Sequence, residues 1–212
     1  MPSETRYDDP CGIARAMDVI GDRWAVLVVR ELLFGGKRFA QLRAGLHGIS
    51  PNVLSQRLRD LEASGVVRRT VLGPPASVTV YELTDRGRAL EPVLIELGRW
   101  GSREQIKSGK ELSVSALMVA LKTVFDPRLA HDGTYAMHVE GEPFVITIDR
   151  KALGIVAGTA VDADATIETD AATLRRVAFG RETLASAQAA GRATVSGNRA
   201  LAARFGRLFP VS

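Results

Sequence analysis

Drawn on a helical wheel at about 100° per residue, Asn52, Ser55, Gln56 and Arg59 fall on one side and Leu54, Leu58 and Leu61 on the other. Amide, hydroxyl and guanidinium tips are the groups that match base edges and phosphates in a major groove, where bidentate Gln to adenine or Arg to guanine discriminates sequence. From Lys37 to Arg69 the bases are Lys37, Arg38, Arg43, Arg57, Arg59, Arg68 and Arg69, and the acids are Asp60 and Glu62. The segment's net +5 exceeds the +4 of the whole chain, so positive charge is concentrated where a phosphate-binding surface would need it. A solvent-facing Arg or Gln is ordinary when taken singly. Together, Lys37, Arg38, Arg43, Ser50, Asn52, Ser55, Gln56, Arg59, Arg68 and Arg69 form a candidate contact set for double-stranded DNA. Arg57 lies nearer the apolar edge, where its stem serves packing equally well.

The other chemistry-bearing residues point away from catalysis. His47, His131 and His138 have no partners at metal-ligand spacing, and one cysteine cannot make a zinc knuckle. No nucleophile elbow, Walker loop or dinucleotide glycine pattern is present. Glu140 and Glu142 read as solvated turn charges. The expectation is no enzyme, no metal and no cofactor. Cys11, as the single cysteine, forbids an intramolecular disulfide and suits a reducing cytoplasm. Arg15, one helical turn on, favours its thiolate, while Asp8 and Asp9 oppose it.

A chain of 212 residues, 46% hydrophobic and 25% charged, can bury one large core or two small ones and is neither disordered nor fibrous. Its apolar stretches, such as Trp24 to Phe34 interrupted by Arg30 and Glu31, fall short of the roughly 20 residues of a membrane span. The first ten residues lack the apolar run of a signal peptide. A cytoplasmic protein is expected, with no membrane partner.

Apolar spacing in the first half predicts a helix over Ile13, Met17 and Ile20, and a second over Trp24 to Leu33 after Gly21-Asp22. A short third helix spans Phe39 to Leu46. The fourth starts at Ser50 as N-cap with Pro51 at its first position, and Gly65 closes it. Val66 to Leu72 and Val78 to Leu83 read as a hairpin around Gly73-Pro74-Pro75-Ala76. Thr84-Asp85 opens a last helix that Pro92 kinks or breaks in two. This is the element order of a winged helix-turn-helix.

The segments Cys11 to Ala14, Ile20 to Trp24, Leu32 to Phe39, Ile49 to Leu58, Leu61 to Gly65 and Tyr81 to Thr84 resemble the HxlR family, over about residues 10 to 105. The resemblance implies a dimeric bacterial winged-helix transcription regulator with recognition helix Ser50 to Ser64, wing Val71 to Tyr81 and terminal helices that pair two subunits. It also implies a role for Cys11, since some members use a cysteine near the first helix to sense oxidants or electrophiles. The competing reading is a small residue packed at a pairing helix.

The polar stretch Ser102 to Ser113 reads as a linker, dividing the chain into domains 1–109 and 110–212. From Thr134 the apolar period becomes two: Tyr135, Met137, Val139, then Phe144, Ile146, Ile148, then Ile155 and Ala157, with Gly141-Glu142-Pro143 as the first turn. A strand at Ala165 to Thr169 follows. Next come a helix capped by Asp170, an alanine-rich helix from Thr183 to Ala190, a strand at Ala193 to Ser196, and a final helix capped by Asn198. The fold class expected is therefore two domains: an N-terminal α+β winged helix-turn-helix, and a C-terminal α+β domain with an antiparallel sheet covered by helices.

Ala165 to Asp170, Phe179-Gly180, Gly191 to Gly197 and Leu201 to Phe209 resemble the sterol-carrier-protein-type lipid-binding domain, over about residues 112 to 212. By that resemblance an apolar or acyl ligand fits between sheet and helices, near Phe144, Ile146, Phe179, Leu184 and Phe205. The competing reading is that these side chains simply fill a core. The function expected is a sequence-specific regulator, a homodimer, answering to an apolar ligand or to oxidation of Cys11. The alternative is a lipid carrier whose winged helix mediates protein contacts.

Overall fold

The computed structural model describes residues 7–73, 78–102 and 111–210. The chain divides into two compact units, residues 1–94 and 95–212. The boundary expected near Gly109 lies outside the described residues.

The first unit runs α1 (Gly12–Ile20), α2 (Arg23–Leu32), α3 (Phe39–Gly45), α4 (Pro51–Ala63), β1 (Val67–Leu72), β2 (Val78–Leu83), α5 (Asp85–Arg88) and the start of α6 (Glu91–Gly101). Each boundary has a local cause. Asp22 accepts a bond from the Trp24 N–H at 2.8 Å, which turns the Gly21-Asp22 break into the cap of α2. After α4 the chain reverses through Gly65 at φ +69°, where Val66 N–H donates to Leu61 O, so a left-handed residue ends the helix. The last predicted helix is two: α5 stops at Ala89-Leu90, and Pro92 falls in the first turn of α6, where its missing N–H is no loss.

β1 and β2 pair antiparallel from Val67↔Leu83 to Leu72↔Val78. The predicted loop residues Pro74, Pro75 and Ala76 lie outside the described residues. The core gathers Val28, Val29 and Leu32 of α2, Leu42 of α3, Leu54, Leu58 and Leu61 of α4, and Leu83 of β2.

The second unit begins its own core with a helix that apolar spacing alone did not announce. In α7 (Val114–Val124) the first six residues are all buried, so no polar face marks its period. Ser113, whose hydroxyl oxygen accepts from Ala116 N–H, was the available signal. Then follow β3 (Gly133–Val139), β4 (Glu142–Asp149), β5 (Ala152–Ala157), β6 (Ala165–Thr169), α8 (Ala171–Ala178), α9 (Leu184–Ala189), β7 (Ala193–Gly197), α10 (Arg199–Arg204) and a 3-10 turn, Phe205–Leu208.

The sheet order is β5-β4-β3-β6-β7. It corrects the expected all-antiparallel arrangement, because β6 lies parallel to β3 in register Tyr135↔Ala165. The connection from Ala157 to Ala165 steps back only two register positions, since Ala157 is level with Phe144 and Met137. It crosses three strand spacings, about 14 Å, which a loop of seven extended residues spans.

The first turn also differs from expectation. Glu140 and Gly141 both have positive φ and form a two-residue hairpin, leaving Glu142 and Pro143 within β4. Tyr135, Ile146, Ile155 and Ala165 form one buried row across the sheet. Over it the rings of Tyr135 and Phe205 lie 5.2 Å apart, and those of Phe205 and Phe209 5.1 Å apart.

Candidate nucleic-acid interface

Helix α4 is built as its pattern requires. Ser50 caps it by accepting from Val53 N–H at 3.3 Å. Leu54, Leu58 and Leu61 are fully buried, which fixes the rotation of the helix, and Asn52, Gln56 and Arg59 are left exposed with Ser55 half-exposed. Gln56 Nε2 donates to Asp60 Oδ1 at 2.7 Å, and an Arg59 Nη donates to Gln56 Oε1 at 2.6 Å. Asp60 also pairs with Arg57 at 2.9 Å, and Arg57 reaches Asp22 at 3.5 Å. The outward tips are thus linked to one another along the helix.

The remaining predicted residues separate into two groups. Arg38, Arg43, Arg59 and Arg69 make no ion pair among the described residues, so their charge is available to an external anion. Arg38 stands at the N-cap of α3 and Arg43 in its last turn. Lys37 and Arg68 are engaged internally. The Lys37 ammonium lies 2.9 Å from a carboxylate oxygen of Glu31, and its backbone bridges to Tyr81. Arg68 donates to Glu82 at 2.9 Å. Bonds from Thr70 and Arg68 hold the Glu82 carboxyl below the usual carboxylate range. Arg68 and Arg69 are neighbours on β1 and project to opposite faces of the hairpin, so they cannot address one phosphate line together.

Glu31 is a residue that sequence reasoning missed. It is fully buried on α2, held by Arg30 at 2.8 Å and by Lys37. Gly45 at the end of α3 leaves room for it, since a Cβ there would sit 2.5 Å from Glu31 Oε2. The available signal was a lone acid in the apolar run from Trp24 to Phe34.

Residues 19–108 match the HxlR-like helix-turn-helix family. The HTH-type transcriptional regulator YvaP of Bacillus subtilis is 44% identical over 89 residues, 82% of its own length and 42% of this chain. The chain belongs to the HxlR-like helix-turn-helix family. A second relative, the HTH-type transcriptional regulator sll1512 of Synechocystis, is 40% identical over 92 residues, 68% of its length and 43% of this chain. Among solved structures, the redox regulator HypR in its oxidized form is 33% identical and covers 46% of this chain and 100% of its own, with a TM-score of 0.43. By family membership residues 19–108 are a DNA-binding helix-turn-helix domain, and each of these relatives covers less than half of this chain. In the other half, residues 126–210 match the SCP-2 sterol transfer family.

In that half Phe144, Ile146, Leu184 and Phe205 are buried, and Phe179 is half-buried at the C-terminal cap of α8. Cys11 is exposed immediately before α1. No helix among the described residues is long and apolar enough to cross a membrane.

Proposed function

We propose that this chain is a sequence-specific transcription regulator that binds double-stranded DNA as a cytoplasmic homodimer, reading bases through α4 and gating that reading through ligand capture in its SCP-2-type domain. The observation that carries the reading is the face of α4: Asn52, Gln56 and Arg59 stand exposed on a helix whose opposite side is locked by three fully buried leucines. Such a face presents donors and acceptors at fixed rotation, which base discrimination requires. The contact set is Arg38, Arg43, Ser50, Asn52, Ser55, Gln56, Arg59 and Arg69, while Lys37 and Arg68 stay engaged with Glu31 and Glu82.

Pairing of two copies is supported by apolar side chains left in water. Ile13 and Met17 on α1, and Val93, Leu97 and Trp100 on α6, recur at helical spacing, with Ile13 73% and Trp100 71% exposed. A ligand that binds one dimer spacing more tightly than another shifts the two recognition helices into or out of register with successive major grooves. An apolar or acyl ligand suits the layer around Phe144, Ile146, Phe179, Leu184 and Phe205. The exposed Cys11 offers a second input: a peroxide-class oxidant converts its thiol to a sulfenic acid as the O–O bond breaks, and a second thiol then displaces water to give a mixed or intersubunit disulfide.

Selection of bound duplexes from a random pool, followed by electrophoretic titration of the winner and a scrambled control, tests the reading. A winner bound at least 100-fold more tightly than the control is expected, and equal binding overturns it. Salt separates this from the alternative of a lipid carrier, because counterion release makes DNA binding fall steeply with ionic strength while apolar capture hardly changes. Native mass spectrometry of the purified protein tests the ligand.

A further inference from the structure

A groove of about 340 Å³ opens in the first unit between α1, the start of β1 and the α5–α6 segment. This lies within the range of small-molecule sites. Val19, Ile20, Val66 and Leu90 give it apolar walls, and Arg15 and Arg86 supply its charge. No acid lines it among the described residues. Arg15 makes no ion pair among the described residues, and Arg86 commits one nitrogen to the carbonyl of Ser64 at 2.7 Å, keeping its other N–H groups.

Two guanidinium groups over an apolar floor discriminate among ligand classes. A purely apolar molecule would strip water from the cations and return nothing, whereas a small inorganic anion would leave the apolar walls wet. A molecule with a flat hydrocarbon body and one carboxylate satisfies both halves. We propose that this groove binds an aromatic carboxylate, its charge held by Arg15 and Arg86 and its ring against Val19, Ile20, Val66 and Leu90. None of its lining residues belongs to α4 or to residues 126–210. Arg86 nevertheless ties it to the C-terminal cap of α4 through Ser64, so occupancy bears on the helix that reads DNA.

The test is titration of the isotopically labelled full chain with 1-naphthoate, followed by amide resonances, with 1-naphthylmethanol as the uncharged control. Saturable shifts at Val19, Ile20 and Val66 are expected. Arg15→Gln should weaken naphthoate at least tenfold, the alcohol should bind at least tenfold more weakly than the acid, and Val19→Trp should abolish the shifts by filling the groove. The proposal is overturned if shifts are absent or confined to residues 126–210, if acid and alcohol bind alike, or if Arg15→Gln binds naphthoate as the unaltered chain does. None of these readouts depends on DNA binding.

Discussion

Gln56 and Arg69 carry different kinds of work and should fail differently. Gln56 lies at the centre of the α4 face, so Gln56→Ala should cost roughly 1 to 3 kcal/mol at one base pair and leave other positions unaffected. Arg69 is exposed on β1 with no ion pair among the described residues, so Arg69→Ala should weaken all duplexes evenly and flatten the salt slope by about one. Electrophoretic titration against single-base variants over a salt series separates the two. Tyr135 gives a prediction in the other half. Burial pushes its phenol up to about 12. The folded chain therefore keeps a proton that the unfolded chain has lost above pH 10. Stability should fall from near pH 10 through about pH 12, by roughly 3 kcal/mol in all. In Tyr135→Phe the decline over that segment of a denaturation-against-pH curve should be shallower by that amount. The outward residues of α4 were legible because a leucine every three or four positions fixes the opposite side. The internal engagement of Lys37 was not, because it depends on Glu31, a buried acid six residues away that only tertiary packing brings under α3.

Helix α3 is held through that acid, and two substitutions probe it. Gly45→Ala would drive a methyl group into the Glu31 carboxylate, while Glu31→Gln keeps the shape and removes the charge facing Arg30 and Lys37. Arg30 and Lys37 retain partial water contact, so Glu31→Gln should cost roughly 2 kcal/mol, below the range for a fully buried pair. Urea denaturation measures the loss, and for Gly45→Ala DNA affinity should drop for all sequences alike, since the added methyl displaces α3 without altering a base contact. Elements with a wet and a dry face were readable from period alone: α2 and α4 carry apolar stripes, and β4 alternates. Elements lacking that contrast were not. Helix α7 is dry nearly all round, and the parallel placement of β6 follows from where a seven-residue loop can reach, which no local pattern encodes. Pro143 misled for a related reason. A proline two residues after glycine suggests a turn, yet Glu140 and Gly141, three and two positions before it, take the positive φ values that make one.

For the whole molecule, salt and assembly are the decisive variables. A dimer using Arg38, Arg43 and Arg69 from each copy neutralises about six phosphates, so log affinity should fall against log salt with a slope near −5. Leu97→Glu on α6 should shift the protein to monomers in sedimentation and remove tight operator binding, while the single-copy fold persists in circular dichroism. A dimer that survives this change would displace α6 from the pairing role. The chain of bonds from Arg59 through Gln56 to Asp60 has a consequence for how such a dimer finds its operator. In the proposed dimer, the reading side chains would stay folded on their own helix over arbitrary sequence, Asp60 would repel the polyanion, and the unpaired arginines would carry the protein along the backbone. Only a sequence able to replace both internal bonds at once would halt that glide, so the same carboxylate that weakens the embrace would shorten the search.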